Sequence, residues 1–242
     1  MNYTASITDF FKSPKWRTNV LLGAVAMLIP AVGPIVLSGW HVTLLWARGD
    51  DESPEDHPPF DFQCFGKYLE RGLWPFLVSL ASSVVLVPVV IVLMIGPLLL
   101  AGFPDFKADH GNGIPVVLMI SMFGIYPIIL VAFQLILVPL ILRATITQDF
   151  AASFHPGFVK RFLALTWKEL LVSCFFMFGV IVCLMIITVI TCYIGGLLLG
   201  PVAIFSWHHL QKQLYQLHLA RGGEPIPPSP KLRDLPPPLP AA

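Results

Sequence analysis

Asp, Glu, Lys and Arg vanish from four stretches of this chain, residues 18–47, 72–104, 110–142 and 170–211. Each is longer than the ~20 apolar residues a helix needs to cross the ~30 Å hydrocarbon core of a bilayer. The pattern therefore predicts an all-α, polytopic integral membrane protein with about four to six membrane helices. Two segments between the runs alternate at helical period instead. Phe65, Leu69, Leu73 and Phe76, with Tyr68 alongside, lie opposite Lys67, Glu70 and Arg71; Phe158, Phe162, Leu165 and Thr166 lie opposite Lys160, Arg161, Ala164 and Lys168. These read as two amphipathic helices on the cytoplasmic leaflet. A cytoplasmic extension of the following span is the alternative for each.

Loop charges choose the topology, because Lys and Arg collect on the cytoplasmic side of short loops. They fall in five groups: Lys12, Lys15 and Arg17; Arg48, Lys67 and Arg71; Lys107 alone; Arg143, Lys160, Arg161 and Lys168; Lys212, Arg221, Lys231 and Arg233. If every run crosses once, eight cations face seven, which discriminates nothing. If the first and last runs double back, fourteen face one. This second arrangement puts both termini in the cytoplasm of a cell-membrane protein.

Helix breakers stand where the doubling back needs them. The first run carries Pro30, Gly33 and Pro34, and each proline removes a backbone donor and obstructs the preceding turn. The last carries Tyr193-Ile194-Gly195-Gly196 near its midpoint, with Pro201 soon after. Its 42 residues divide into two full spans, whereas half of the first run's 30 residues reaches only about 23 Å. The first run is thus a short, tilted or re-entrant hairpin, or else one broken span, and its break should face other helices, since bare backbone at depth needs cover. Trp16, Trp46, Trp74, Trp167 and Trp207 stand near run ends, where indoles settle at the headgroup level. The organisation is a cytoplasmic segment (1–17), one helical membrane domain (18–216) and a Pro-rich tail (217–242) with eight prolines between 224 and 240, read as disordered.

Composition narrows the chemistry. With 56% hydrophobic and 12% charged residues, mean hydropathy +0.77 and net charge +1, the chain leaves no room for a sizeable soluble core or a basic nucleic-acid surface. Cys174, Cys183 and Cys192 sit nine apart in the last run, without tetrahedral metal spacing, and read as packing residues. The acidic cluster Asp50, Asp51, Glu52, Glu55, Asp56 and His57 lacks the glycine-punctuated spacing of a calcium loop and reads as a solvated loop. His41, His208 and His209, with Asp149 or His155, are the residues from which a metal or proton site would be built. Gln134, the one long amide inside a single-span run, and the Gly196-x-x-x-Gly200 spacing are candidates for helix packing. Gly33-Pro34 to Trp40-His41 and Gly200-Pro201 to Trp207-His208 share Gly-Pro, a small residue, Trp and His in nearly the same register, with serine offset by one, as a distant internal duplication or by coincidence.

Ser13-Pro14-Lys15-Trp16, Leu22-Gly23, Ile29-Pro30, Gly33-Pro34, Gly39-Trp40, Pro58-Pro59-Phe60-Asp61, and Gly66 to Gly72-Leu73 form a recognisable series. With His208-His209-Leu210 and Gln213-Leu214-Tyr215 near the end, they resemble a prokaryotic family of multi-pass membrane proteins, domain of unknown function 4013. The likeness covers residues 13–216 and departs in the long Pro-rich tail and in Trp40, where Tyr is usual. It implies a multi-pass fold and supplies no reaction and no catalytic residues. More distantly, the alternation of spans and surface helices is similar to membrane domains that accompany some glycerophosphodiester phosphodiesterases.

The expectation is a non-enzymatic scaffold, assembly or lipid-organising membrane module. It needs no cofactor, and its partners are the lipid bilayer and a second copy or another membrane protein. The alternative is a small transporter for a neutral or lipid-like substrate. No Gly-x-Ser-x-Gly or His-Glu-x-x-His motif favours an enzyme.

Overall fold

A computed structural model describes residues 1–46, 57–102 and 126–233, together with Glu55 and Gly124. Its helices are α1 (Tyr3–Lys12), α2 (Trp16–Met27), α3 (Val32–Trp46), α4 (Phe65–Gly102), α5 (Tyr126–Thr147), α6 (Phe150–Ser153), α7 (Pro156–Ile190), α8 (Ile194–Ala220) and α9 (Pro230–Arg233), with a 3₁₀ turn at Phe62–Cys64 before α4. No strand occurs among the described residues. Helices α4, α5 and α7 are long and apolar enough to cross a membrane, and α3 is a shorter apolar helix, so the chain is an all-α helical membrane protein.

The first apolar run doubles back. Gly33 lies against the Ala26 carbonyl and Gly23 near Leu37, the pairing of an antiparallel hairpin and not of one broken span. At ~1.5 Å per residue, α2 and α3 are about 18 and 22 Å long, too short to cross. The tip reaches only the level of Gly200 and Pro201 on α8, against which Met27 and Gly23 pack. Leu28, Ile29, Pro30 and Ala31 at the tip are exposed, which corrects the expectation of protein cover. The reason is local: Leu28, Ile29, Val32 and Gly33 donate to Val25, Ala26, Pro30 and Ile29 carbonyls, and the two prolines have no N–H to satisfy. Of the three residues read as the break, Pro30 alone stands in it; Gly33 and Pro34 belong to the first turn of α3.

The last run doubles back as well, but not where the glycines stand. The chain reverses at Thr191, Cys192 and Tyr193, the latter two at φ 48° and 72°. Tyr193 N–H closes the turn onto the Thr188 carbonyl at 2.7 Å. Gly195, Gly196 and Pro201 lie inside α8. A Cβ on Gly195 would fall 2.5 Å from Thr191 Oγ1, and one on Gly196 2.5 Å from Thr188 Oγ1, so these glycines let the two arms meet. The repeated Gly-Pro motif therefore starts two residues beyond the first turn and seven beyond the second.

Three further expectations change. The amphipathic segments are not separate elements: each is the polar beginning of a long helix, α4 or α7. Tyr68, Arg71 and Gly72 of the first are buried, with Gly72 against α3, and Phe158 and Phe162 of the second are buried against α8. The tail is docked through Arg233: Ile226 and Leu232 are buried, Tyr215 Oη accepts from Ile226 N–H at 2.7 Å, and Ser229 N–H reaches the Ile146 carbonyl at 2.9 Å. Residues 234–242 lie outside the described residues. Cys183 and Cys192 are exposed, not packing residues.

Packing is concentrated at one end, which we call the polar end. One cluster joins Phe10, Leu37, Trp40, Phe60, Tyr68 and Phe205; a second joins Val138, Leu142, Phe162, Leu170, Leu214 and Ile226. Helix α8 lies between them and touches α1, α2, α3, α5 and α7. Away from that end, Val84, Val85 and Val92 of α4 and Phe178, Met185 and Val189 of α7 are exposed.

Candidate functional site

The polar end is a layer of polar groups, most of them buried, threaded between the two clusters. Asn2, the N-cap of α1, and Ser6 and Asp9 within it recur at i, i+4 and i+7; Ser206, His209 and Gln213 recur at i, i+3 and i+7 on α8. The two rows pair along their length. Ser6 Oγ and Ser206 Oγ are 3.0 Å apart, Asp9 Oδ2 lies 3.3 Å from His209 Nε2, and Gln213 both accepts from Asn2 N–H at 2.6 Å and donates to its carbonyl at 2.9 Å. Lys12 Nζ adds an ion pair to Asp9 at 2.7 Å.

On an adjacent face of α8, His208 Nε2 and Ser38 Oγ of α3 share a hydrogen bond at 2.8 Å. The His41 ring lies 6.2 Å from that of His208, and neither of its nitrogens has a hydrogen-bond partner among the described residues. His41 is fully buried, walled by Phe10, Trp40 and Phe205. The Ser38–His208 separation suits a nucleophile and its base. Yet His208 is only 3% exposed, and the nearby carboxylate, Asp9, meets His209. This geometry ties α3 to α8.

Arg71, 4% exposed, closes the layer on the other side. Its Nη1 donates to Thr43 Oγ1 of α3 at 2.8 Å and its Nη2 to the Lys231 carbonyl of α9 at 2.7 Å, while its own carbonyl accepts from Gln148 Nε2 at 3.3 Å. Lys231 Nζ pairs with Glu70 at 2.7 Å. The Arg71 side chain thus ties α4 to α3 and the tail, and its backbone carbonyl adds the residue that follows α5. Beyond the apolar part of α8, His218 is enclosed by Phe158, Phe162 and Tyr215. Gly223 covers it so closely that a Cβ there would fall 2.2 Å from Nε2. Burial lowers the His218 pKa below the usual histidine value. Arg221 forks onto Glu169 at 2.5 and 3.0 Å, and that carboxylate raises the guanidinium pKa above its ordinary value.

Several sequence candidates fall elsewhere. Asp149 and His155 do not join His41, His208 and His209; they cap α6 and α7, accepting from Ala152 N–H at 3.0 Å and Phe158 N–H at 3.1 Å. No group of three or more His, Cys, Asp or Glu among the described residues is placed to hold a metal ion. Gln134 is exposed on α5 and not buried in a helix contact, because the packed part of α5 is its last three turns. Gly196 and Gly200 face Thr188 and Met27 of the same chain. Among the tryptophans, Trp167 is exposed; Trp16 is half-buried beside Phe11, and Trp74 is half-buried. Trp46 and Trp207 pack against the second cluster instead of standing free at the headgroups. Apart from Glu55 and His57, the acidic cluster lies outside the described residues.

Sequence reasoning missed Ser6, Asp9, Ser38 and Arg71. The polar rows on α1 and α8 were a visible signal; Arg71 looked like any solvated cation. The family motifs now have structural roles: Phe60 enters the first cluster, Asp61 Oδ1 caps the 3₁₀ turn by accepting from Gln63 N–H at 2.8 Å, and Asn19 Oδ1 holds Phe60 N–H at 3.0 Å. No curated protein and no solved structure matches the chain. The model of the family described as "Protein of unknown function (DUF4013)" matches residues 22–203, most of the chain, and the protein belongs to that family.

Proposed function

We propose that this protein is a multi-pass, non-enzymatic scaffold of the cell membrane, with both termini in the cytoplasm, that gathers lipids and partner helices around spans fixed at one end. One observation carries the reading. The polar layer grips the helices at one end, whereas α4 and α7 leave large apolar side chains exposed over most of their length. Within a bilayer such faces are covered by lipid or by other helices, and neighbouring helices associate through packing. The cations Lys12, Arg71, Lys168, Arg221 and Lys231 cluster at the polar end, which favours placing it in the cytoplasm.

Cross-linking in native membranes tests this. Val85→Cys and Val189→Cys, at positions 72% and 77% exposed, are expected to cross-link to a second copy or another membrane protein, while buried Val78→Cys is not. Monomer at all three positions would contradict it. A permease for a neutral or lipid-like solute is the second reading, favoured by the unpartnered nitrogens of His41. Solute uptake by reconstituted vesicles that is abolished by His41→Phe would establish that reading instead.

A further inference from the structure

An apolar groove of ≈ 560 Å³ opens on the outer surface between α1, α7 and α8. Ile7 and Phe11 wall it at the polar end, Phe175, Gly179 and Cys183 along α7, and Ala203 on α8. Ser206 brings a hydroxyl to its wall, already engaged by Ser6. From Phe175 to Ile187 the groove follows α7 for about 18 Å, close to the ~15 Å hydrocarbon depth of a single leaflet. Its floor at Gly179 is open, with nothing within 4 Å of where a Cβ would stand.

Cations stand at its mouth. Lys168, Val172, Phe175 and Gly179 form one row on α7 at i, i+4, i+7 and i+11, so the groove wall leads directly to the exposed Lys168. Beside the Phe11 wall, Trp16 packs on Phe11 at 5.3 Å, with the Arg17 guanidinium 5.4 Å over that indole and exposed Lys15 before it. Indoles paired with cations, Trp16 with Arg17 and Trp167 with Lys168, mark a headgroup region.

We infer that the groove seats one acyl chain of an anionic phospholipid whose headgroup lies between Lys168 and the Lys15–Arg17 pair. The inference rests on the lipid-facing reading above and specifies one lipid and its place. The apolar wall gives no footing to a polar solute, the length fits a single leaflet, and the charge at the mouth selects the headgroup.

Native mass spectrometry of the full chain, purified from vesicles of equal phosphatidylglycerol and phosphatidylcholine, tests it. One phosphatidylglycerol per chain is expected, preferred about tenfold or more over phosphatidylcholine given three nearby cations. Gly179→Phe, and more mildly Gly179→Leu, should fill the groove and abolish retention at unchanged helix content. The combined Lys15→Gln, Arg17→Gln and Lys168→Gln variant should retain both lipids equally. Undiminished lipid on Gly179→Phe, equal retention by the wild type, or a lipid-free dimer in place of the adduct would overturn the inference. Cross-linking at Val85 and Val189 reads the scaffold proposal independently, so either can fail alone.

Discussion

Gly39 and Gly72 face each other across α3 and α4 so closely that neither position has room for a methyl group. A Cβ on Gly39 would lie 1.7 Å from the Tyr68 carbonyl oxygen, and one on Gly72 1.9 Å from that of Ile35. The obstacles are backbone atoms of the facing helix, which cannot rotate away. This crossing seats Trp40 and Tyr68 in the first cluster and brings Thr43 to Arg71.

Gly39→Ala or Gly72→Ala is therefore expected to push the two helices apart and lower stability by about 1–3 kcal/mol or more, as overpacking does. Gly66→Ala, at an open position of the same helix, should be neutral or slightly stabilising by up to ~1 kcal/mol. Reversible unfolding in detergent micelles compares the three.

Arg71 holds the tail from the opposite end of the sequence. Arg71→Met leaves Thr43 Oγ1 and the Lys231 carbonyl without this donor, and a cost of about 1–3 kcal/mol follows from burying groups that have lost a partner. Hydrogen exchange should show residues 226–233 losing protection before the helices do. Equal protection in variant and wild type would mean that Ile226 and Leu232 suffice to hold the tail.

His218 sets a pH dependence. Burial lowers its folded-state pKa below the ~6.5 of the unfolded chain, so the unfolded state binds the proton first. Its contribution to stability is fully present above pH ~6.5 and is lost as pH falls from there through the folded-state value. Melting temperatures between pH 7.5 and 5 should fall in the wild type, and His218→Gln should flatten part of that slope.

How far the sequence disclosed this structure depends on the range of the interaction involved. The two reversals were legible because charge-free length and Pro30 are local signals. The second meets the expected Tyr193-Ile194-Gly195-Gly196 break only at Tyr193, since Cys192 and Tyr193 adopt left-handed backbone, which composition does not announce, while Gly195 and Gly196 serve contact with α7. The amphipathic beginnings of α4 and α7 were visible as periodicity. Whether they lie on the membrane or stand upright is decided by partners far away: Gly39 for one, His218 for the other. The tail misled because eight prolines outweigh two apolar anchors in composition, although Ile226 and Leu232 find buried seats. The polar layer was the least legible part. Its pairs, such as Ser6 with Ser206 and Ser38 with His208, join residues 200 and 170 positions apart.

In the topology proposed above, α7 and α8 cross the membrane as a hairpin, α2 and α3 stop at mid-depth, and the polar layer faces the cytoplasm. Labelling single cysteines in intact cells with an impermeant maleimide tests it most directly, using Cys192 at the second turn, Leu28→Cys at the first tip and Ala220→Cys at the end of α8, with the remaining cysteines replaced by Ala. The account predicts that Cys192 reacts from outside, Ala220→Cys reacts only after the cytoplasm is opened, and Leu28→Cys reacts from neither side. Labelling of Ala220→Cys in intact cells, or of Leu28→Cys from outside, would contradict it.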